Sequence, residues 1–214
     1  MPLAKTDSLR VCIILFLCCL FASAAQAQTI LPSAAAIAQQ EIEIRIGSAA
    51  LRVPDSILIN QDGEKIRFYS DLIKGKVVVI SFFYTSCDYI CSIQGEIFSS
   101  LQFELGSRLG KDIFLISVST DPETDVPEKL KSWSERYKRR RGWSLITGSK
   151  EEMNKLLKVF TGETVGRREL HSSVVYIGNE RRGIWTAFEG ISGAEILSKI
   201  ISEISKGNPG IPKP

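Results

Sequence analysis

Gly75-Lys76-Val77-Val78-Val79-Ile80-Ser81-Phe82-Phe83-Tyr84-Thr85-Ser86-Cys87-Asp88-Tyr89-Ile90-Cys91 passes from a β-branched apolar run to two thiols and then into a helical pattern. Lys76 to Phe83 is short, apolar and bounded by Gly75, which predicts a buried central strand with a parallel neighbour. Beyond the thiols, Ile93, Ile97, Leu101 and Leu105 recur every four residues and Phe98 broadens the stripe, so a helix follows. A strand-to-helix turn at the carboxyl end of a sheet is where open α/β folds present functional side chains. The two thiols stand at such a turn.

The flanks continue the alternation. Glu41 to Ile46 alternates strictly, as a half-buried strand does, and residues 55 to 69 read as two short strands around Gln61-Asp62-Gly63. Ile113 to Val118 is a second buried strand. Pro127 opens a helix carrying Leu130, Trp133 and Tyr137, and Trp143 to Ile146 is a third strand. Ser149-Lys150-Glu151-Glu152 has the capping-box pattern ahead of Met153, Leu156, Leu157 and Phe160. Ser173 to Ile177 and Ile184 to Phe188 form a predicted antiparallel pair turning at Gly178-Asn179. Ser192-Gly193-Ala194-Glu195 repeats the capping pattern before Ile196, Leu197, Ile200, Ile201 and Ile204. This order predicts an α/β fold, a mixed sheet with helices on both faces, and no repeat or second domain.

Residues 1 to 27 read as an export signal. Lys5 and Arg10 precede an apolar run from Val11 to Ala25, and Ala25-Gln26-Ala27 is a small-x-small cleavage site. The run is shorter than the ~18 to 20 residues that span a bilayer, which favours a cleaved leader over a membrane anchor formed by residues 11–25. Leu17 before Cys18, and Phe16 three residues before Cys19, speak against lipidation of either cysteine. The expected organisation is signal peptide 1–27, spacer and strand 28–50, a domain over 51–206 and a loose tail 207–214. Export places the domain in the periplasm, an oxidising compartment. A net charge of +3 is too mild to indicate nucleic acid.

Of five cysteines, three fall in the leader; Cys87, Cys91 and the single histidine, His171, are the soft donors that remain. Spacing of four sets both sulfurs on one face of a helical turn, and helix-start amides are expected to lower the thiol pKa values. His171 precedes a predicted strand whose loop this topology can bring to the cysteine turn. Two thiolates and an imidazole suit Cu(I), accept Cu(II) with a fourth donor, and accept zinc with a water. A structural disulfide, or apolar filler, explains a cysteine pair equally well on spacing alone, and a lone histidine is more often surface or core than ligand.

Ile59-Asn60-Gln61-Asp62-Gly63 through Phe68-Tyr69-Ser70-Asp71-Leu72 to Lys74-Gly75-Lys76-Val77-Val78-Val79 resembles the Sco/SenC family of exported copper proteins. The resemblance continues in Phe83-Tyr84-Thr85-Ser86-Cys87-Asp88-Tyr89-Ile90-Cys91, in Ser117-Val118-Ser119-Thr120-Asp121-Pro122-Glu123-Thr124-Asp125, and in His171-Ser172 before a strand. It implies a thioredoxin-like fold, with copper held by Cys87, Cys91 and His171. It implies a metallochaperone that assists copper loading of cytochrome c oxidase. The partners it implies are the copper subunit of the oxidase or another exported copper protein, and a thiol reductase. The chain departs from the family pattern at Asp88 and Ser92, where proline is common, and at Leu170, where aspartate is common. A thiol-disulfide oxidoreductase acting on exported proteins is the alternative. Against it, the cysteines have three intervening residues rather than two, and no proline lies between Pro127 and Pro209 to supply the cis-proline of thioredoxins.

Three further features have simpler readings. Arg136, Lys138, Arg139, Arg140 and Arg141 form a basic cluster expected to be a solvated helix end, with docking of an acidic partner as the sharper alternative. Asp121 and Asp125 are expected in turn or capping roles rather than as ligands for a hard cation. Trp133, Trp143 and Trp185 are expected in the core or at its rim.

Overall fold

Val77–Phe83 (β5) is buried along its whole length, as its unbroken apolar run requires. It runs parallel to Ile113–Ser119 (β6) and antiparallel to Val175–Asn179 (β8). The computed structural model describes residues 41–46, 49–162, 164–165, 173–188 and 193–208. The leader, residues 28–40, His171, Ser192 and residues 209–214 lie outside the described residues.

Among the described residues the sheet around β5 has nine strands, in the order β2-β1-β9-β8-β5-β6-β7-β3-β4. The remaining strands are Glu41–Ile46 (β1), Ala49–Pro54 (β2), Ile57–Asn60 (β3), Lys65–Arg67 (β4), Trp143–Thr147 (β7) and Ile184–Phe188 (β9). β5, β6 and β7 are parallel, whereas β3–β4, β1–β2 and β8–β9 are antiparallel hairpins. The helices are Ile90–Leu105 (α1), Pro127–Arg136 (α2), Lys150–Phe160 (α3) and Ala194–Lys206 (α4). One apolar cluster joins the sheet to α1, α2 and α4; the other joins its opposite face to α3 and a π-helical turn, Phe68–Ile73. The mixed sheet with helices on both faces is thus present.

Local signals resolve unevenly. Pro127 occupies the first turn of α2, and Ser149 Oγ accepts the Glu152 amide at 3.3 Å, so α3 starts as its sequence requires. The second capping expectation does not hold: the cap of α4 is Gly193, without a side-chain bond, and Glu195 pairs with Lys199 at 2.7 Å instead. The β8–β9 hairpin turns at Glu180–Arg182 and left-handed Gly183, not at Gly178-Asn179. Gly178 lies inside β8, where a Cβ would come within 2.3 Å of the Trp185 ring, so the glycine serves ring packing rather than a turn. The buried face of α1 runs through Cys91, Gly95, Phe98, Leu101, Gln102 and Leu105, leaving Ile93 and Ile97 half-buried beside the predicted stripe.

The basic cluster is largely tied down. Arg139 lies 3.6 Å from Asp62 and donates to the Trp143 carbonyl at 3.1 Å, while Arg140 covers the Phe103 ring at 4.4 Å. Only Arg136 belongs to α2, so the other four follow the helix rather than form its last turn. Trp133, Trp143 and Trp185 are all buried.

Candidate functional site

Phe83 ends β5, and the chain then crosses Tyr84-Thr85-Ser86 to Cys87 before α1 begins at Ile90. Cys87 therefore precedes the helix and Cys91 sits in its first turn. The Cys91 amide donates to Cys87 Sγ at 3.4 Å, and the Cys87 amide donates to the Tyr84 carbonyl at 3.2 Å. Ser92 Oγ, standing where the family pattern has proline, donates to the Cys87 carbonyl at 3.3 Å. One turn of backbone thus folds over the first sulfur and aims a helix-start amide at it.

Both cysteines are reduced thiols and buried, with 6% and 3% of their surface exposed, at the edge of the apolar cluster that includes Phe83, Phe98 and Trp133. Phe83 and Trp133 pack with their rings tilted by 43° and centroids 4.6 Å apart, and the Trp133 and Tyr137 centroids are 4.5 Å apart. Burial, and then the hydrogen bond with the Cys87 side chain, push the Cys91 thiol well above its ordinary range. The expected lowering by helix amides is overturned at Cys91, because the aromatic floor removes the water that would solvate a thiolate. Tyr89, between the two cysteines, is 76% exposed and turns away from that floor.

A buried carboxylate holds the cysteine turn in place. Asp125 accepts the Thr85 amide at 3.1 Å, the Thr85 hydroxyl, and Ser119 Oγ at 2.7 Å. It is fully enclosed, and burial raises its pKa against the lowering effect of those bonds. The α2 cap is Val126, so Asp125 cross-links the turn before Cys87 to the end of β6 rather than capping a helix. Asp121 carries a backbone role, its carbonyl accepting the Thr124 and Asp125 amides. Sequence reasoning underrated Asp125; a Thr85 before the thiols and a Ser119 at a strand end were the available signal.

His171 lies outside the described residues, so the structure joins Cys87 with Cys91 and leaves the third expected donor untested. The topology bears on it indirectly. β8 pairs antiparallel with β5 through Ile80 and Tyr176, so chain entering β8 arrives from the carboxyl end of β5, the end that leads to Cys87. Among the described residues no group of three His, Cys, Asp or Glu side chains is placed to hold a metal. The described donors are two thiols at hydrogen-bonding distance, a set that fits a soft ion needing a further ligand, or reversible disulfide formation.

The SCO1/SenC family profile matches residues 50–206, and the chain belongs to that family. A SCO1 protein homolog of Bacillus subtilis (strain 168) is 28% identical over 156 residues, 70% of this chain and 79% of that protein. The crystal structure of a SCO1/SenC family lipoprotein from Bacillus anthracis str. Ames is similar, with TM-score 0.62 and 26% identity over 72% of this chain and 95% of that one. Arabidopsis thaliana ScoI with copper bound shares the fold, with TM-score 0.56 and 20% identity over 70% and 96% of the two chains. The fold is the thioredoxin-like α/β fold of these proteins. Among the described residues no helix is long and apolar enough to cross a membrane.

Proposed function

We propose that this SCO1/SenC family protein is an exported copper metallochaperone that carries Cu(I) or Cu(II) on Cys87, Cys91 and His171 and assists copper loading of cytochrome c oxidase. The observation that carries the reading is the pair of reduced thiols on one strand-to-helix turn, with a helix amide on Cys87 Sγ and apolar walls behind both sulfurs. Copper is cargo here, and two thiolates with an imidazole are a donor set that accepts it in either oxidation state. The approach of the chain to β8 from the cysteine end supports His171 as the third donor. The copper-bound state of the Arabidopsis relative supports the choice of metal for this chain.

The domain that does this is residues 51–206. It works after export to the periplasm with the leader removed; the lipoprotein relative makes attachment to the membrane the competing arrangement. The recipient is the copper subunit of the oxidase or another exported copper protein, and a thiol reductase keeps the pair reduced. A second reading, thiol-disulfide exchange, is favoured by the hydrogen bond between the two cysteine side chains. In that reaction the pair gives two electrons and two protons to a substrate disulfide.

The test is copper stoichiometry and sulfur-to-Cu(II) charge-transfer absorption for wild type and His171→Ala, beside an insulin-type reduction assay. His171→Ala is expected to abolish stable Cu(II) binding and weaken Cu(I), leaving the fold and any reductase activity intact. The oxidised wild type, with a Cys87–Cys91 disulfide, is expected to take up no copper. Unchanged copper spectra in the variant remove the histidine, and vigorous reduction without copper uptake by the wild type selects the second reading.

A further inference from the structure

At the end of the sheet opposite the thiols, a cavity of about 570 Å³ opens where β5 and β6 begin and where β8 ends. Six of the chain's 27 basic residues line it, with Asp112 the one acid among 24. The volume lies within the range typical of small-ligand sites. β5 places its length, on the order of 20 Å, between this cavity and the turn that leads to Cys87.

Two of the six cations have structural roles. Lys76 Nζ lies over the Phe114 ring, 4.6 Å from its centroid, and donates to the Asp71 carbonyl. Arg182 packs against the backbone at Gly207, where a Cβ would come within 2.7 Å of its Nη1, a cation at the carboxyl end of α4. Lys74, Arg108, Lys111 and Arg181 differ, because among the described residues none of the four is in an ion pair. The acid nearest in sequence to the arginines is committed elsewhere. Glu180 accepts the Tyr69 hydroxyl at 2.6 Å and the Gly75 amide at 2.7 Å.

Four such cations gathered from three segments, before β5, before β6 and in the β8–β9 turn, repel one another. They converge on a recess whose wall includes Val77 and Phe114. A concave cationic surface focuses the field and concentrates multiply charged anions, and guanidinium forks match tetrahedral oxyanions. In the basic run at residues 136–141, by contrast, Arg139 is engaged with Asp62 and the Trp143 carbonyl and Arg140 with the Phe103 ring.

We infer that this cavity is a binding site for a phosphate-type anion carrying two or more negative charges, supplied either by a soluble phosphate compound or by an anionic lipid headgroup. The inference stands apart from the copper reading, because none of the cavity residues belongs to the cysteine turn. Its test uses the full chain, with inorganic pyrophosphate in titration calorimetry and, in parallel, flotation with phosphatidylcholine vesicles with and without phosphatidylglycerol. Saturable binding that weakens with salt is expected in at least one arm. Lys111→Glu and Arg181→Glu should each weaken it about tenfold, and Lys158→Glu, on the exposed side of α3, should leave it unchanged. Circular dichroism and thermal melting confirm that each variant is folded. Pyrophosphate binding alone identifies a soluble ligand, and vesicle binding lost in the same variants identifies a headgroup. Equal binding by the cavity variants and the wild type, or no binding in either arm at millimolar ligand, overturns the inference.

Discussion

Tyr69 gives its hydroxyl to one oxygen of Glu180 at 2.6 Å while the other oxygen takes the Gly75 amide at 2.7 Å, so one carboxylate joins the π-helical turn, the start of β5 and the β8–β9 turn. Burial first, and then that hydrogen bond, push the phenol up to about 12. A folded-state pKa raised from 10.0 means that the native state holds this proton more tightly than the unfolded chain does. The resulting stability is fully present below pH 10 and disappears as pH rises towards about 12. Tyr69→Phe should therefore flatten the alkaline loss of urea stability relative to wild type across that window. At neutral pH it should cost about 1.5 to 3 kcal/mol, the worth of a hydrogen bond to a charged acceptor. An unchanged alkaline difference would detach the phenol from this role. At the same scale, the cysteines were legible as the site from their place after an apolar strand. The state of Cys91 was not, because adjacency to a helix start is written in the sequence whereas the Phe83–Trp133 floor comes from elements fifty residues apart. Asp125 was hidden for the same reason: its partners Thr85 and Ser119 come from two different strand ends.

α1 shows how an element can be read correctly and oriented wrongly. The period of four through Ile93, Ile97 and Leu101 identified the helix, yet its buried edge passes through Gly95, which hydropathy ignores. Tyr137, just beyond α2, lies flat against that glycine, and a Cβ there would meet its ring carbons at 2.6 to 2.8 Å. The close approach rotates α1 so that Cys91 and Phe98 face the core and Ile93 sits at its rim. Gly95→Ala gains helix propensity of about 1 kcal/mol, but overpacking against a buried ring costs about 1 to 3 kcal/mol. The expected net result is destabilisation of up to about 2 kcal/mol by the same balance. Replacing Tyr137 with leucine in the same chain should recover part of it, because the two effects are coupled through contact. Equal destabilisation by Gly95→Ala in both backgrounds, measured by urea denaturation, would show that the ring is not the obstacle. Gly178 repeats the lesson in a strand: it reads as a turn residue, but Trp185 occupies the space that a side chain would need. Close backbone approach and turn formation both call for glycine, and one sequence does not distinguish them.

Across the whole sheet, the β1–β2 hairpin is the part that sequence reasoning least anticipated. β1 was visible in its alternation, but Ala49 and Ala50 gave β2 no pattern, and the expected domain start at 51 falls inside it. The SCO1/SenC match begins at 50, leaving β1 before it. The β1–β2 hairpin joins the other strands through the single pairing of Ile46 in β1 with Trp185, so its ladder is peripheral to the sheet. β2 is different, because Val53 is fully buried in the cluster that holds Leu58, Met153 and Trp185, and the strand packs on α3. The two strands of one hairpin should therefore contribute unequally to stability. A chain beginning at residue 47 loses the six-position β1–β2 ladder and the Ile46–Trp185 pairing. It also sheds the backbone entropy of six ordered residues, about 1 to 2 kcal/mol each, which offsets net hydrogen-bond gains of about 0.5 to 1.5 kcal/mol each. It should therefore unfold within about 1 kcal/mol of one beginning at residue 41. A chain beginning at residue 55 should lose a further 1.5 to 3 kcal/mol or so, the worth of burying one valine-sized side chain, and should expose Trp185. Both shortened chains should self-associate more than the one beginning at residue 41, because β9 presents an uncovered edge once β1 is gone. Urea denaturation and light scattering on the three chains separate these contributions. Stability that falls already at residue 47 and no further at residue 55 would mean that the hairpin acts through its ladder rather than through Val53.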